Sequence, residues 1–296
     1  MAFKPDITGL VLHFRTPERT IACLRSLLDE GVRRVVLVDN SEDNGRSLAI
    51  MQPQLAALRE LGLYTSVVES EHNLGFAAGV TAGTKHILNT RSSHVLLINS
   101  DAWLATHALH YLREGLKTGG IAVPRLRSIG GQPLPSFAYY DRLAALITKR
   151  PVFWPIKYAS GCCMLICADH VRPDLFDNDF FFYGDDVMFG FDLSRRGVSV
   201  IDCSKAVVVH DVSVSAKNGS IFYEYHINRS HWLLAKKLSR NRFEYFAFIA
   251  ARCLVLPLRA TLRSVRNLTI TPWRGLLAAS YDAARGCYQS LTPPAP

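Results

Sequence analysis

Two adjacent carboxylates, Asp185 and Asp186, sit in FFFYGDDVMFGFDLSRRG (180–197), where four aromatics lead into a glycine. Acids in the first turn of a helix stabilise its macrodipole, and Gly197 after Arg195 and Arg196 is an ordinary helix stop. A cap therefore accounts for either acid alone. The pair asks for more, because neighbouring carboxylates raise each other's proton affinity. One held among aromatics is poised to take a proton from a hydroxyl. A second group lies in LLINSDAWL (96–104), where Asn99 and Asp101 follow an apolar run. Strand alternation would place both on one side, and a carboxylate there can ligate a hard divalent cation that also bridges phosphates. A surface turn capping the next helix is the plainer reading of the same residues. His210 ends VVVHD (207–211). It is either a satisfied edge residue or the partner that completes a metal site begun by Asp101, with diphosphate and water filling the rest.

Asp39 and Asn40 stand where the strand-like VLVDNSEDNG (36–45) enters a turn rich in Asp, Asn and Ser. They bond the local backbone, or Asp39 accepts hydrogen bonds from a nucleotide's base or ribose, as acids at strand ends do. In EHNLGFAAGVTAG (71–83), small residues at 77–79, 82 and 83 leave room at a helix start for another backbone or for a ligand, and that end favours phosphate.

These residues need a scaffold, and the first 125 residues supply the pattern of one. Short apolar runs at 7–14, 33–40, 64–70 and 94–104 alternate with helical patterns at 19–29, 48–61 and 76–88, the sign of parallel βαβ units. In such sheets ligands bind at the carboxyl ends of the strands, here offering Asp39, Glu69 and the Asn99–Asp101 segment. The Gly-, Pro- and aromatic-rich middle, 126–158, reads as loops with one short helix. Strand character returns at 160–171 and 198–211, and the chain is helical in pattern from about Ser220.

The composition, 49% hydrophobic and 20% charged, is that of a globular chain with no repeats. The N-terminal residues lack the apolar run and cleavage site of a signal peptide, giving the expectation of a cytoplasmic protein. The seven cysteines form no CxxC pair, and Cys162, Cys163, Cys167 and Cys203, in apolar surroundings, read as buried thiols. The net charge of +9 is confined to the C-terminal part: from Arg229 onward there are eleven Lys/Arg against two acids, while positions 1–228 carry 23 of each sign. That asymmetry points to an anionic surface under the tail.

The order of these segments resembles the inverting family 2 glycosyltransferases of GT-A fold, from about Ile7 to Trp232, with the rhamnosyltransferase-like branch nearest in its motifs. VLVDNSEDNG, NLGFAAG (73–79), LLINSD, SGCCMLI (160–166) and DDVMFGFDL each match a family motif, and an HxxxS-like stretch follows at HDVSV (210–214), with Ser213 and Ser215. The resemblance implies an α/β, Rossmann-like GT-A domain over 1–219, with a nucleotide-sugar half to about 125 and an acceptor half over 126–219. It implies that Asp39 contacts the nucleobase, with Asn40 beside it, and that Asn73 and Gly75 line the nucleotide pocket. Asp101 would ligate Mg2+ or Mn2+, Asn99 would stand where relatives have the first acid, and His210 would assist at the metal or diphosphate. Asp186 holds the position of the general base, and Asp185 replaces the more usual Glu. The implied donor is dTDP-rhamnose, with UDP-sugars such as UDP-galactofuranose as the alternative.

The segment 220–296 is expected to be helical, basic and amphipathic. Within 243–268, Arg252, Arg259, Arg263 and Arg266 gather on one helical side, as in a helix lying on an anionic membrane. Packing on the domain or in a homo-oligomer is the other reading. A membrane position suggests a polyprenyl-diphosphate-linked acceptor, or an oligosaccharide, at the cytoplasmic face of the inner membrane, in cell-surface polysaccharide (O-antigen) assembly. Two rivals fit less well. A sugar nucleotidyltransferase needs a Gly- and basic-rich loop after the first strand, where this chain has LHFRTPERT (12–20). A non-catalytic protein binding nucleic acid through the basic tail leaves the acid-lined sheet rim unexplained, so no nucleic-acid partner is expected.

Overall fold

A computed structural model describes residues 7–89, 94–211 and 219–287. In chain order the elements are β1 (Ile7–His13), α1 (Pro17–Asp29), β2 (Arg34–Asp39), α2 (Arg46–Glu60), β3 (Tyr64–Glu69), α3 (Gly75–Leu88), β4 (His94–Asn99), β5 (Ala102–Leu104) and α4 (Ala108–Leu116). There follow β6 (Ile121–Ser128), β7 (Pro133–Leu134), β8 (Phe137–Asp141), β9 (Leu146–Thr148), β10 (Pro155–Ala159) and β11 (Cys163–Cys167). The last are α5 (Asp185–Arg195), β12 (Val200–His210), α6 (Ile221–Leu238), α7 (Arg242–Asn267) and α8 (Thr271–Ala284).

The chain forms two compact units whose segments interleave along the sequence. The first comprises Met1–Ser136, Ala159–Phe176 and Leu193–Val212; the second comprises Phe137–Tyr158, Asp177–Asp192 and Ser213–Pro296.

The first unit is built on a nine-stranded sheet ordered β3-β2-β1-β4-β11-β6-β12-β5, with β7 beside β6. The expected βαβ units supply β1 to β4, all parallel. β11, β5 and β7 run against the remaining six strands. Alternation explains why helices cover both faces of β1. Ile7 and Val11 pack into one core with Leu24 and Leu27 of α1, Met51 of α2 and Leu112 of α4. Leu10 and Leu12 point the other way, to α3. A Cβ on Gly83 would lie 2.2 Å from Leu10 Cδ1, and one on Gly79 would lie 2.8 Å from Leu12 Cδ2 and from Asn40 Nδ2. The small residues of α3 thus admit side chains of the sheet.

Two expectations change here. The run 94–104 is not one strand: it turns at Ser100–Asp101, and β5 leaves to pair antiparallel with β12. The alternation expected to align Asn99 with Asp101 is therefore interrupted. The segment 126–158 holds short strands instead of loops and a short helix. β6 runs on to Ser128, and β8, with Tyr139 and Tyr140, is the middle strand of a second sheet, β10-β8-β9.

That small sheet belongs to the second unit, where Tyr140 and Ile156 share a core with Phe180, Met188, Leu233, Leu234 and Phe248. α6 is capped by Ser220, whose side chain accepts from the Tyr223 N–H. α8 packs so closely on α6 that a Cβ at Gly275 would meet Glu224 Cβ at 2.5 Å. α7 continues through Pro257 as a single helix. Three of the four arginines expected to form a cationic face, Arg252, Arg259 and Arg263, face inward, whereas Arg266 is exposed. Arg252 is fully buried, and it donates to the carbonyls of His231 and Phe248 and to the Tyr140 hydroxyl. Arg259 donates to Asn228, and Arg263 pairs with Glu224 at 2.6 Å.

Gly83→Ala should push Leu10 off its rotamer and destabilise the protein by about 1–3 kcal/mol, the usual cost of overpacking a core. Urea denaturation of the variant measures this, and unchanged stability would show that α3 has slack against the sheet.

Candidate active site

In the first unit, parallel strands bring their carboxyl ends to one edge, where Glu69, Asp39 and His13 follow one another across β3, β2 and β1. Asp39 is buried, and its Oδ1 accepts the Ser41 N–H at 3.0 Å, closing a turn. Asn40 Nδ2 donates to the Gly75 carbonyl at 2.9 Å, while the Gly75 N–H donates to Asn73 Oδ1 at 2.9 Å. Gly75 has φ +74°, a conformation that glycine adopts without a Cβ clash. Asp39, Asn40, Asn73 and Gly75 are thereby joined at the end of β2 and the start of α3. Asn40 Oδ1 is buried without a hydrogen-bond partner among the described residues.

His13 is a member of this rim that sequence reasoning missed, although it ends an apolar strand as His210 does, and that position is the signal that could have found it. Its Nδ1 lies 2.7 Å from Thr20 Oγ1, and its buried Nε2 has no hydrogen-bond partner among the described residues. Burial lowers its pKa, against the opposing pull of Asp39 and Asp43, so the ring is neutral.

Asp101 and His210 meet because β5 pairs with the end of β12. His210 stands opposite Ala102, and the Asp211 N–H donates to the Asp101 carbonyl at 2.9 Å. The pairing leaves His210 Nε2 at 3.2 Å from Asp101 Oδ1, with both side chains 13% exposed. Despite that distance the two atoms lack hydrogen-bond alignment, and Nε2 is buried without a hydrogen-bond partner among the described residues. A carboxylate and an imidazole placed side by side without satisfying one another fit a shared cation. Among the described residues no cluster of three or more His, Cys, Asp or Glu could hold a metal. Asn99 ends β4 next to this turn; its carbonyl accepts from Cys23 Sγ at 3.5 Å, and its N–H donates to the Cys162 carbonyl. Arg19 holds Asp211 at 2.6 Å. Ser213 and Ser215 lie outside the described residues. All seven cysteines are free thiols, and Cys23, Cys162, Cys163 and Cys203 are buried.

In the second unit, Asp185 and Asp186 open α5. Tyr183 and Gly184 before them take φ of +63° and +86°, and a Cβ on Gly184 would lie 2.7 Å from the Phe180 ring and 2.9 Å from Ser230 Cβ. The two acids differ in surroundings. Asp185 is 6% exposed; burial pushes its pKa up to about 6, partly offset by the Asp185 and Asp186 N–H groups bonding its carboxylate. Asp186 is half-buried. Both line a pocket with Tyr140, Tyr158, Tyr183 and His231. Burial raises the pKa of Tyr158, with Asp186 adding to it, and burial also raises that of Tyr183, so the phenols stay protonated.

Behind the pocket, burial and then Arg259 and Arg252 hold His231 neutral. Arg259 has only protons to offer, so His231 Nε2 accepts from it at 2.6 Å and Nδ1 must carry the ring proton. That proton goes to the Tyr140 oxygen at 3.0 Å, which also accepts from Arg252, so the Tyr140 hydroxyl keeps its own proton to donate. Nothing local to Tyr140 or His231 foretells this contact between residues 91 positions apart.

These elements form the GT-A glycosyltransferase architecture. The family model for glycosyl transferase family 2 matches residues 11–172, and the chain belongs to that family and is a glycosyltransferase. Among solved structures it is similar to the mannosyltransferase PcManGT from Pyrobaculum calidifontis in complex with GDP-Man and Mn2+, at 15% identity and a TM-score of 0.58, covering 96% of this chain and 88% of that one. It is similar also to GalNAc-T7 with UDP, GalNAc and Mn2+, at 13% identity and a TM-score of 0.59, covering 98% of this chain and 59% of that one. A third likeness is to residues 1–349 of TarS from S. aureus, at 15% identity and a TM-score of 0.53, covering 97% of this chain and 83% of that one. No curated protein matches the sequence.

Because the folded-state pKa of Asp185 is raised, its ionised form opposes folding above about pH 6, and this cost fades as pH falls towards the unfolded value near 4. Asp185→Asn should therefore raise Tm by about 4 °C at pH 8 and leave it unchanged near pH 4. A Tm lowered equally at both pH values would show that the carboxylate is held by partners that outweigh its burial.

Proposed function

We propose that the protein transfers a sugar from a nucleotide sugar to an acceptor hydroxyl with inversion at the anomeric carbon. The observation that carries this reading is the Asp101–His210 pair at the strand rim, with its orphaned Nε2. Asp101 and His210 would hold Mg2+ or Mn2+, and an imidazole donor favours Mn2+ of the two. When bound, the cation supplies charge neutralisation for the departing nucleoside diphosphate. Asp39 accepts hydrogen bonds from the base or ribose, with Asn40, Asn73 and Gly75 forming the adjoining wall and Asn99 completing the rim.

In the second unit the division of labour follows from the surroundings of the two acids. Asp185 is committed to the backbone N–H groups at the start of α5, which leaves Asp186 to take the proton from the acceptor hydroxyl. The protonated phenols of Tyr158 and Tyr183 offer donors and ring faces suited to a saccharide. For the donor we propose dTDP-rhamnose, on the motif resemblance, with UDP-sugars such as UDP-galactofuranose as the alternative. The acceptor would be a lipid-linked or oligosaccharide hydroxyl in cell-surface polysaccharide assembly at the cytoplasmic face of the inner membrane.

Asp186→Asn should lower the transfer rate by about 10^3-fold, within the range a general base contributes, while donor affinity is retained. Normal turnover in that variant would remove Asp186 from the role. Screening nucleotide sugars for diphosphate release with Mn2+ or Mg2+ should give fastest release from dTDP-rhamnose; preferential release of UDP would reassign the donor.

A further inference from the structure

α7 is inverted relative to an ordinary surface helix: Arg252, Arg259 and Arg263 point inward, and large apolar side chains point out. Phe243, Phe246, Leu254, Leu258, Leu262 and Val265 are 61–87% exposed, and at 3.6 residues per turn they fall on one stripe opposite Arg252, Arg259 and Arg263. The stripe runs most of the helix, about 39 Å at 1.5 Å per residue. Leu268, Ile270, Leu277 and Tyr281 extend it to α8, each more than 60% exposed. An apolar surface of this extent is a docking face.

We propose that this face lies in the interfacial layer of an anionic bilayer, with α7 parallel to the membrane plane. By length and composition the helix could cross a membrane. Spanning would, however, drag with it the α6 groups its arginines bind, Glu224, Asn228 and the His231 carbonyl, at a cost of several kcal/mol for each polar group left unsatisfied in hydrocarbon. Charge selects the occupant. From residue 236 to 287 every exposed charged side chain is a cation, Arg240, Arg242, Arg266 and Arg274 among them, and the acids Glu244 and Asp282 are not exposed. A second copy docked on this face would set like charges together, whereas anionic headgroups neutralise them.

The inner side of α7 reaches the pocket of the second unit, since Arg252 binds the Tyr140 hydroxyl and the His231 carbonyl. The lipid-facing helix therefore also fixes two residues that line the pocket of Asp185 and Asp186. A lipid-linked acceptor suits that arrangement. This last step rests on the glycosyltransferase reading; the docking itself does not.

The full chain should co-sediment with vesicles of phosphatidylglycerol and phosphatidylcholine, and Leu254→Glu/Leu258→Glu should weaken this at least tenfold. Both substitutions are at water-exposed sites, so Tm should be unchanged. Binding to pure phosphatidylcholine should be much weaker. Absence of binding to the anionic vesicles at low salt, or equal binding by the double variant, would overturn the proposal. So would a dimer in light scattering that the double variant dissolves. Diphosphate release from nucleotide sugars, measured on the same preparations, separates the two readings. Release without vesicle binding defeats docking alone, and vesicle binding without release defeats the catalytic reading alone.

Discussion

A three-residue strand, Ala102–Leu104, pairs antiparallel with the end of Val200–His210, and the donor side of the enzyme depends on that pairing. It turns the chain away from the fourth strand at Ser100 and sets a carboxylate beside an imidazole that lies more than 100 residues later in sequence. Asp101 and His210 are each mostly buried and neither satisfies the other. Leaving a buried polar atom without a partner costs about 1–3 kcal/mol, which makes the pair unfavourable unless something else completes it. The surrounding rim ties Asp39, Asn40, Asn73 and Gly75 by backbone hydrogen bonds, yet among the described residues it too keeps buried polar atoms without partners, Asn40 Oδ1 and His13 Nε2. Open polar atoms of this kind are what a bound ligand would satisfy.

The second unit follows a related logic with a different group. Burial works against ionised Asp185, while two backbone N–H groups at a helix start work for it. The phenols around the pocket are held protonated and the histidine behind it neutral, so the lining is rich in donors. Arg252 supplies the structural tie. Its guanidinium is fully buried, yet its hydrogen bonds to three carbonyls and a phenol keep it satisfied without a facing carboxylate among those partners.

Much of this was legible in the residues. Apolar runs alternating with helical patterns defined the βα units, because strand and helix periodicities differ and Pro17 and Gly31 mark ends. The rim acids followed from where strands of a parallel sheet must end. The short strands of 126–158 were hidden because runs of two to five residues are too short to show a period. The break at Ser100 was hidden because β5 exists only through its pairing with a distant strand. The arginines of α7 teach a sharper lesson: helical spacing told which residues share a side, and that held, but it could not tell which side faces the protein. Inward arginines are satisfied here because α6 offers acceptors in register to all three, and Tyr140, Arg142 and Phe248 offer more to Arg252. The same non-local packing placed His13, Tyr140 and His231, none of which spacing alone could single out.

The central claim is that Asp101 and His210 together hold a divalent cation with the nucleoside diphosphate. The direct measurement is the fall of the free Mn2+ electron paramagnetic resonance signal on adding the full chain with dTDP or UDP. The account predicts Mn2+ uptake that depends on the diphosphate and weakens about tenfold or more in both Asp101→Ala and His210→Ala, a ligand mattering at least as much as an outer-shell partner. Equal Mn2+ uptake by the wild type and both variants would contradict it.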